Sequence, residues 1–173
     1  MRPGVSTGMT NETVSTTRTI EADAAAVFGV LVDPSTHATI DGTGWVRESL
    51  DDVRLTEAGQ IFRVVVGHDN PSDGRFETAN RVEVFAAPDA IAWRPGEMQE
   101  DGSFVCGGWI WRYDLAPSGP TATAVTLSYD WSEVSTELRE KIGFPPVSAE
   151  PPFGLQHLEN SLRNLADLAE ARV

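Results

Sequence analysis

The chain has 173 residues, a formal net charge of −13 and a single cysteine, Cys106. That length predicts one domain with a core of ordinary size. The acidic balance argues against nucleic acid and membrane surfaces as partners, because both are polyanions. One cysteine excludes an internal disulfide and a cysteine-based metal cluster. No apolar run approaches the ~20 residues of a membrane-spanning helix, and no signal peptide follows Met1, so we expect a cytoplasmic protein.

The first quarter of the chain predicts a tail, a strand and two helices. Residues 1–13 are rich in Gly, Ser and Thr and have little to bury, which predicts a disordered N-terminal tail before a single domain over 14–173. Val14–Ile20 is rich in threonine, which favours a strand. Ala24–Val32 has apolar residues at helical spacing, and Pro34–Ile40 predicts a second, short helix because proline is tolerated in a first turn.

From Trp45 onward the pattern is almost entirely β. Alternating apolar and polar residues, bounded by turn formers, predict antiparallel strands with one apolar face. The predicted strands are Trp45–Leu50, Ile61–Gly67, Phe76–Phe85, Ala90–Arg94, Val105–Leu115 and Thr121–Trp131. Between them, His68–Gly74 and Pro95–Ser103 are predicted to be polar loops.

The chain ends in an amphipathic helix, predicted over Phe153–Arg172. Its apolar stripe consists of Leu155, Leu158, Leu162, Leu165 and Ala169. A strand, two short helices, a run of antiparallel strands and one long helix predict an α+β fold, in which a curved sheet packs around the C-terminal helix. One helix cannot fill a strongly bent sheet, so we expect a cavity between them.

These segments, in this order, resemble the START-like superfamily, also called SRPBCC. Ile20–Phe28 is similar to its opening strand-to-helix segment, Asp33–His37 to its helix–helix joint, Val82–Trp93 to its central hairpin, and Trp111–Trp131 to its last two strands. The resemblance implies the helix-grip fold, a curved antiparallel sheet around a long C-terminal helix with two short helices after the first strand. Within the superfamily the chain looks most like the polyketide cyclase/dehydrase branch, which implies binding of a hydrophobic small molecule. The family has no universal catalytic motif, so no catalytic residue is carried over.

The inward faces of the predicted strands define a candidate ligand cavity. Asn80 shares its face with Val82 and Val84, so its amide must pair with backbone or water, or bind a ligand group. The predicted ligand-binding residues are Phe62, Val64, Asn80, Trp109, Trp111, Tyr129, Trp131, Leu155 and Leu158. Apolar and aromatic walls with a few polar groups are typical of sites for small organic molecules, although the same aromatic residues are also common core fillers.

Residues for metal binding or catalysis do not stand out in the pattern. His37, His68 and His157 fall in separate elements, so we expect neither a metal site nor a cofactor. His68, in a predicted loop, is a candidate general base, and Arg94 is a candidate for binding an anionic group. A solvated histidine and a surface ion pair are the simpler interpretations of these two residues.

Three functions remain open at this point. We predict that the chain, as a monomer or homodimer, binds a hydrophobic or aromatic small molecule between the curved sheet and the C-terminal helix. The first alternative is a cyclase, aromatase or dehydratase that acts on a polyketide-like substrate in the same cavity. The second is a protein-interaction module, as the superfamily's relatives of heat-shock ATPase activators imply, which would require an exposed apolar patch outside the sheet.

Overall fold

The computed structural model describes residues 8–9, 12–67, 75–141 and 153–173. Strands formed by these residues make a single antiparallel sheet in the order β1-β2-β9-β8-β6-β5-β4-β3, with β7 paired to β6. The strands are β1 Gly8–Met9, β2 Thr13–Ile20, β3 Val46–Ser49, β4 Ile61–Gly67, β5 Arg75–Ala86, β6 Ala90–Met98, β7 Phe104–Cys106, β8 Ile110–Pro117 and β9 Thr123–Asp130. Most strands pair with a neighbour in sequence, whereas β2 lies beside β9 and joins the two ends of the domain.

Short helices cover one side of this sheet and a long helix ends the chain. They are α1 Ala24–Leu31, a 3-10 turn Pro34–Thr36, α2 His37–Ile40, α3 Thr136–Lys141 and α4 Leu155–Ala171. Asp23 caps α1, because its carboxylate accepts a hydrogen bond of 2.8 Å from the Ala26 amide. None of the helices within the described residues is long and apolar enough to cross a membrane.

The sheet holds α4 through the helix's apolar stripe. Leu158, Leu162, Leu165 and Ala169 are buried, and α4 contacts α1, α2, β2 and β9. Each fully buried leucine of this kind contributes about 1.5–3 kcal/mol relative to an exposed one. The observed architecture is therefore the predicted α+β helix-grip fold, with an antiparallel sheet curled around the C-terminal helix.

The loop after α2 fits closely against α4. A Cβ at Gly42 would lie 2.4 Å from the His157 carbonyl oxygen and 2.5 Å from the Ser161 amide nitrogen, so only glycine fits there. The Gly42 amide donates a hydrogen bond of 2.7 Å to the Ser161 hydroxyl. This contact fixes the start of the long helix relative to the helical side of the domain.

Two strand predictions were wrong in their boundaries. The predicted loop after Arg94 is still strand as far as Met98, and Pro95 lies between the part of β6 that pairs with β8 and the part that pairs with β7. Such an interruption is where a strand tolerates proline. The predicted strand Val105–Leu115 is broken into β7 and β8, because Gly108 has a φ of +109° and packs against the backbone of Glu133.

The remaining boundaries agree with the sequence prediction to within a few residues, where they are described. The predicted loop His68–Gly74 lies outside the described residues. Gly8–Met9 falls within the segment predicted to be a tail and pairs with Val14 and Ser15 of β2. The domain boundary at residue 14 stays a prediction.

Candidate functional site

Cross-strand pairing places predicted wall residues on one face of the sheet. Phe62 of β4 lies opposite Asn80 of β5. Trp111 of β8 lies opposite Tyr129 of β9 on one side and opposite Trp93 of β6 on the other. Directly opposed residues project to the same face of an antiparallel pair, so the register gathers these five side chains on the inner face.

Four aromatic residues form one group, which we call the β8–β9 cluster: Trp111 of β8, Tyr129 of β9, Trp131 just after β9, and Phe153 just before α4. The rings of Trp111 and Tyr129 stack with centroids 4.2 Å apart, and Trp131 lies 5.6 Å from Tyr129. Phe153, just before α4, lies 5.9 Å from Tyr129 and 6.0 Å from Trp111. Tyr129 and Trp131 are buried and Trp111 is half-buried. The sequence prediction contained the three strand residues and missed Phe153.

Trp109 occupies a different position, in the break between β7 and β8. Its ring covers Gly107, where a Cβ would lie 2.5 Å from the indole and 3.2 Å from a methyl group of Leu138 in α3. The indole Nε1 is buried and, within the described part of the chain, has no hydrogen-bond partner. A buried donor left without an acceptor costs about 1–3 kcal/mol, so Trp109 offers an unused donor to anything that reaches it.

Asn80 also carries a side-chain amide without a hydrogen bond to any described residue. Its side chain is 7% exposed and lies opposite Phe62 on the inner face. Among the hydrogen bonds of the described residues, none involves its amide group, whereas the neighbouring Thr78 hydroxyl donates 2.6 Å to the Gly96 carbonyl. The amide is thus free to bind a ligand group, which was one of the two interpretations that the sequence left open.

The other predicted wall residues belong to the packed core or to its margin. Phe62 and Val64 are 1% and 2% exposed, and Leu158 is completely buried. Leu155, at the start of α4, is only half-buried. Leu155 is therefore the most accessible of these four residues, and it lies two residues after Phe153 at the N-terminus of α4.

A second aromatic group, which the sequence did not predict, surrounds a histidine. We call it the His37 cluster: His37, Phe62, Trp93 and Tyr113. The imidazole of His37 stacks on Trp93 at 4.8 Å and meets the edge of Phe62 at 5.2 Å. Tyr113 completes the group at 5.8 Å from Trp93. The one signal in the sequence is that His37 lies three residues before Ile40, so both project from the same face of a short helix.

His37 is held by a defined hydrogen bond. Its Nε2 lies 2.8 Å from the Leu31 carbonyl oxygen, and the residue is only 6% exposed. Burial lowers the pKa of His37, and the Leu31 hydrogen bond and the charges of Asp33 and Asp41 oppose that shift only in part. The imidazole is consequently neutral at pH 7.

Two tyrosine hydroxyls share this interior. Burial raises the pKa of Tyr113 and of Tyr129, and the Asp41 carboxylate raises that of Tyr113 further. Both hydroxyls therefore stay protonated at physiological pH, and neither has a hydrogen bond to a described residue. They are additional unused donors or acceptors on an otherwise apolar surface.

Charged groups near the site are engaged with each other. Arg94 lies 3.4 Å from both Glu83 and Glu133. An ion pair of Arg94 was expected from the sequence, and its partners are not the glutamates nearest to it in the chain. Arg139 of α3 is buried, pairs with Glu12 at 2.6 Å and donates 2.7 Å to the Trp131 carbonyl. Neither arginine offers a free cation to the aromatic interior.

Neither a metal-binding group nor a surface depression provides another candidate site among the described residues. Within the described residues, no group of histidine, cysteine and carboxylate side chains could hold a metal ion. His68, the proposed loop base, lies outside those residues. A polar depression of about 240 Å³ lies where β5 begins and β6 ends. Its lining consists of Glu77, Thr78, Ala79, Glu97, Met98 and Gln99.

Comparison with known proteins identifies relatives of the fold. No family model matches the chain. Two Mycobacterium tuberculosis proteins, the uncharacterized proteins MT0096 and Rv0088, are 24% and 25% identical to it over 89% of this chain. The chain spans 62% of the length of each of these curated relatives.

Solved structures share the architecture at low sequence identity. A solution structure from Arthrobacter aurescens has a TM-score of 0.64 at 13% identity and covers 96% of this chain and 92% of its own. Protein NE0264 of Nitrosomonas europaea has a TM-score of 0.63 at 14% identity, covering 95% and 97%. An AHSA1-like protein of Aeromonas hydrophila has a TM-score of 0.55 at 18% identity, covering 92% and 93%. These likenesses are consistent with a START-like fold and carry no information on the ligand.

Proposed function

We propose that this protein encloses a hydrophobic or aromatic small molecule between the curved sheet and α4. One observation carries the proposal: the Asn80 amide on the aromatic inner face and the buried Trp109 indole nitrogen in the break between β7 and β8 have no hydrogen bond to a described residue. Buried polar groups in native proteins are almost always paired, and an unpaired one calls for a missing partner such as a ligand or water. A largely apolar wall with a few such groups is the usual composition of a small-molecule site.

The helix-grip fold supports this proposal by its shape. A curled sheet that packs on one helix leaves part of its inner face without a helical partner, and the β8–β9 cluster lies at the end where α4 begins. Trp111 and Leu155 are only half-buried there, as expected for side chains at the entrance of an interior space. Wall residues would supply apolar contact, while Asn80 would fix the orientation of the bound molecule.

The first test is native mass spectrometry of the freshly purified protein, combined with tryptophan fluorescence during titration with naphthalene derivatives and palmitate. We expect a retained small-molecule mass or saturable quenching. Trp111→Ala should weaken binding, because it removes a half-buried wall ring. Val105→Ala is the matched control, since Val105 is 55% exposed on β7. No bound mass and no quenching by any compound would count against the proposal.

Asn80→Ala tests the polar anchor separately. Loss of one hydrogen bond should weaken binding of carbonyl-containing or hydroxyl-containing compounds about tenfold at most. Hydrocarbons of the same size should bind as before. An equal loss for both kinds of compound would assign Asn80 to folding and not to recognition.

Acid–base catalysis on a polyketide-like substrate is the second candidate function. It is favoured by the neutral, buried His37, because a neutral imidazole can accept a proton, and by the protonated Tyr113, which contacts the same Trp93 ring. Turnover of a linear poly-β-ketone would distinguish this enzyme from a carrier. In that case His37→Gln should lower the rate constant for turnover more than the affinity.

A further inference from the structure

The hydrogen bond of His37 decides which of its ring nitrogens is available. Nε2 lies 2.8 Å from the Leu31 carbonyl oxygen, and a carbonyl can only accept. Nε2 must therefore carry the hydrogen, and in the neutral ring Nδ1 then has a free lone pair. Within the described part of the chain, no backbone or side-chain donor is bonded to Nδ1.

The aromatic surroundings of the His37 imidazole favour a ligand that is flat and apolar and carries one hydrogen-bond donor. Trp93 stacks on one side of the imidazole at 4.8 Å, and Phe62 contacts it edge-on at 5.2 Å. Phe62 lies directly opposite Asn80 in the sheet, so the His37 cluster adjoins the inner face on which the proposed ligand binds. His37 and Asn80 therefore both have Phe62 as a neighbour.

The charge of the interior selects against anions. His37 is neutral, and Asp33 and Asp41 are close enough to affect its ionisation. Arg94 is paired with Glu83 and Glu133, and Arg139 with Glu12. Arg54 and Arg172 lie close enough to Asp33 to affect its ionisation. With a net charge of −13 as well, a carboxylate would meet unfavourable electrostatics and a lone pair that it cannot pair with. A hydroxyl can donate to that lone pair at no such cost.

We infer that His37 Nδ1 recognises the ligand by accepting a hydrogen bond from a phenol-type or enol hydroxyl on an uncharged aromatic molecule. The inference rests on the proposed function and adds to it the chemical class of the ligand. It assigns a binding role to a residue in the helical joint, where the sequence pattern offered only a structural one.

The test compares two probes of similar size and shape, 2-naphthol and 2-methoxynaphthalene. Only the first can donate a hydrogen bond. We expect the wild-type protein to bind 2-naphthol about tenfold more tightly, the upper range for one buried hydrogen bond. In His37→Gln the preference should fall below about twofold. Glutamine keeps a donor for the Leu31 carbonyl but loses Nδ1 together with the ring that stacks on Trp93, so the comparison uses the ratio of the two affinities and not either affinity alone.

Tyr113→Phe is the matched control, because it removes the hydroxyl of the His37 cluster and leaves the imidazole in place. The preference for 2-naphthol should persist in this variant. In the wild-type protein, nitrogen-15 NMR of the histidine rings gives a second measurement that needs no variant. The Nδ1 resonance of His37 should move upfield with 2-naphthol and stay unchanged with 2-methoxynaphthalene.

Each alternative result has a separate meaning. Equal affinity for the two probes would overturn the inference and leave the proposed cavity intact. A preference that survives in His37→Gln, or an Nδ1 resonance that does not respond to 2-naphthol, would also overturn it. If neither probe binds, the inference is overturned, and the proposed function is decided separately by the native mass spectrometry and the palmitate titration.

Discussion

The β8–β9 cluster and the His37 cluster are both aromatic, but the sequence pattern predicted most of the first and did not predict the second as a group. The first is built mainly from neighbouring strands, so Trp111, Tyr129 and Trp131 fall on one face by simple alternation. The second joins α2 to three strands that are distant in sequence, through contacts of His37 with Phe62 and Trp93. Alternation reveals which residues share a face, whereas only the folded chain reveals what covers that face.

Removing a buried ring from either cluster should have the largest effect. Phe62 and Trp131 are each 1% exposed. Phe62→Ala and Trp131→Ala should each lower the free energy of unfolding by about 3–5 kcal/mol through lost burial and a residual cavity. Urea titration followed by circular dichroism measures this change. Val105→Ala should stay within about 0.5 kcal/mol. A small loss at Phe62 alone would mean that the His37 cluster is loosely packed.

Gly107→Ala should disturb Trp109 without altering either cluster directly. The added Cβ would lie 2.5 Å from the indole ring, so the ring or the backbone must move. We expect a loss of about 1–3 kcal/mol in the free energy of unfolding and a changed tryptophan emission. Gly29→Ala, where the nearest atom would be 3.6 Å away, should instead stabilise α1 by about 0.5–1 kcal/mol. Equal effects of the two changes would contradict the close contact at Gly107.

Dependence of stability on pH should separate the clusters. The folded-state pKa of His37 lies below its ordinary value of 6.5, so the unfolded chain takes up this proton first as the pH falls. The contribution of His37 to the free energy of unfolding is complete above pH 6.5. It declines below that pH by no more than about 1.4 kcal/mol per pH unit. Urea midpoints at pH 7.5, 6.5 and 5.5 should therefore decline more in the wild-type protein than in His37→Gln. Identical declines would show that His37 titrates normally. Tyr129, in the other cluster, stays protonated throughout this range.

The ion pair of Arg94 with Glu133 should contribute least. Arg94 follows Trp93 in β6 and lies 3.4 Å from Glu133, just beyond Trp131. Glu133 is largely exposed, so Glu133→Gln should change the free energy of unfolding by less than about 0.5 kcal/mol. A double-mutant cycle with Arg94→Gln measures the pair itself. A coupling above about 1 kcal/mol would show that the pair is more than a surface contact.

Much of the site was predictable because it lies on strands. The register places Phe62 opposite Asn80, and the rings of Trp111 and Tyr129 stack. Their role in binding a ligand stays a prediction. Alternation in the sequence predicted that Trp109 faces inward like Trp111. In the structure, the turn at Gly108 places Trp109 before the start of β8. A glycine with a positive φ leaves no mark in an alternating pattern.

The sequence by itself determined the class of fold, the strand that carries Asn80, and the apolar stripe of α4, because these follow from periods of two and 3.6 residues along the chain. Only the tertiary structure decided that His37 contacts both Phe62 and Trp93, that the Leu31 carbonyl fixes its tautomer, and that the Trp109 indole nitrogen has no hydrogen bond to a described residue. The physical reason is that hydrogen-bond satisfaction and burial depend on residues brought together from distant parts of the chain. Periodicity describes one element at a time and contains no information on its partners.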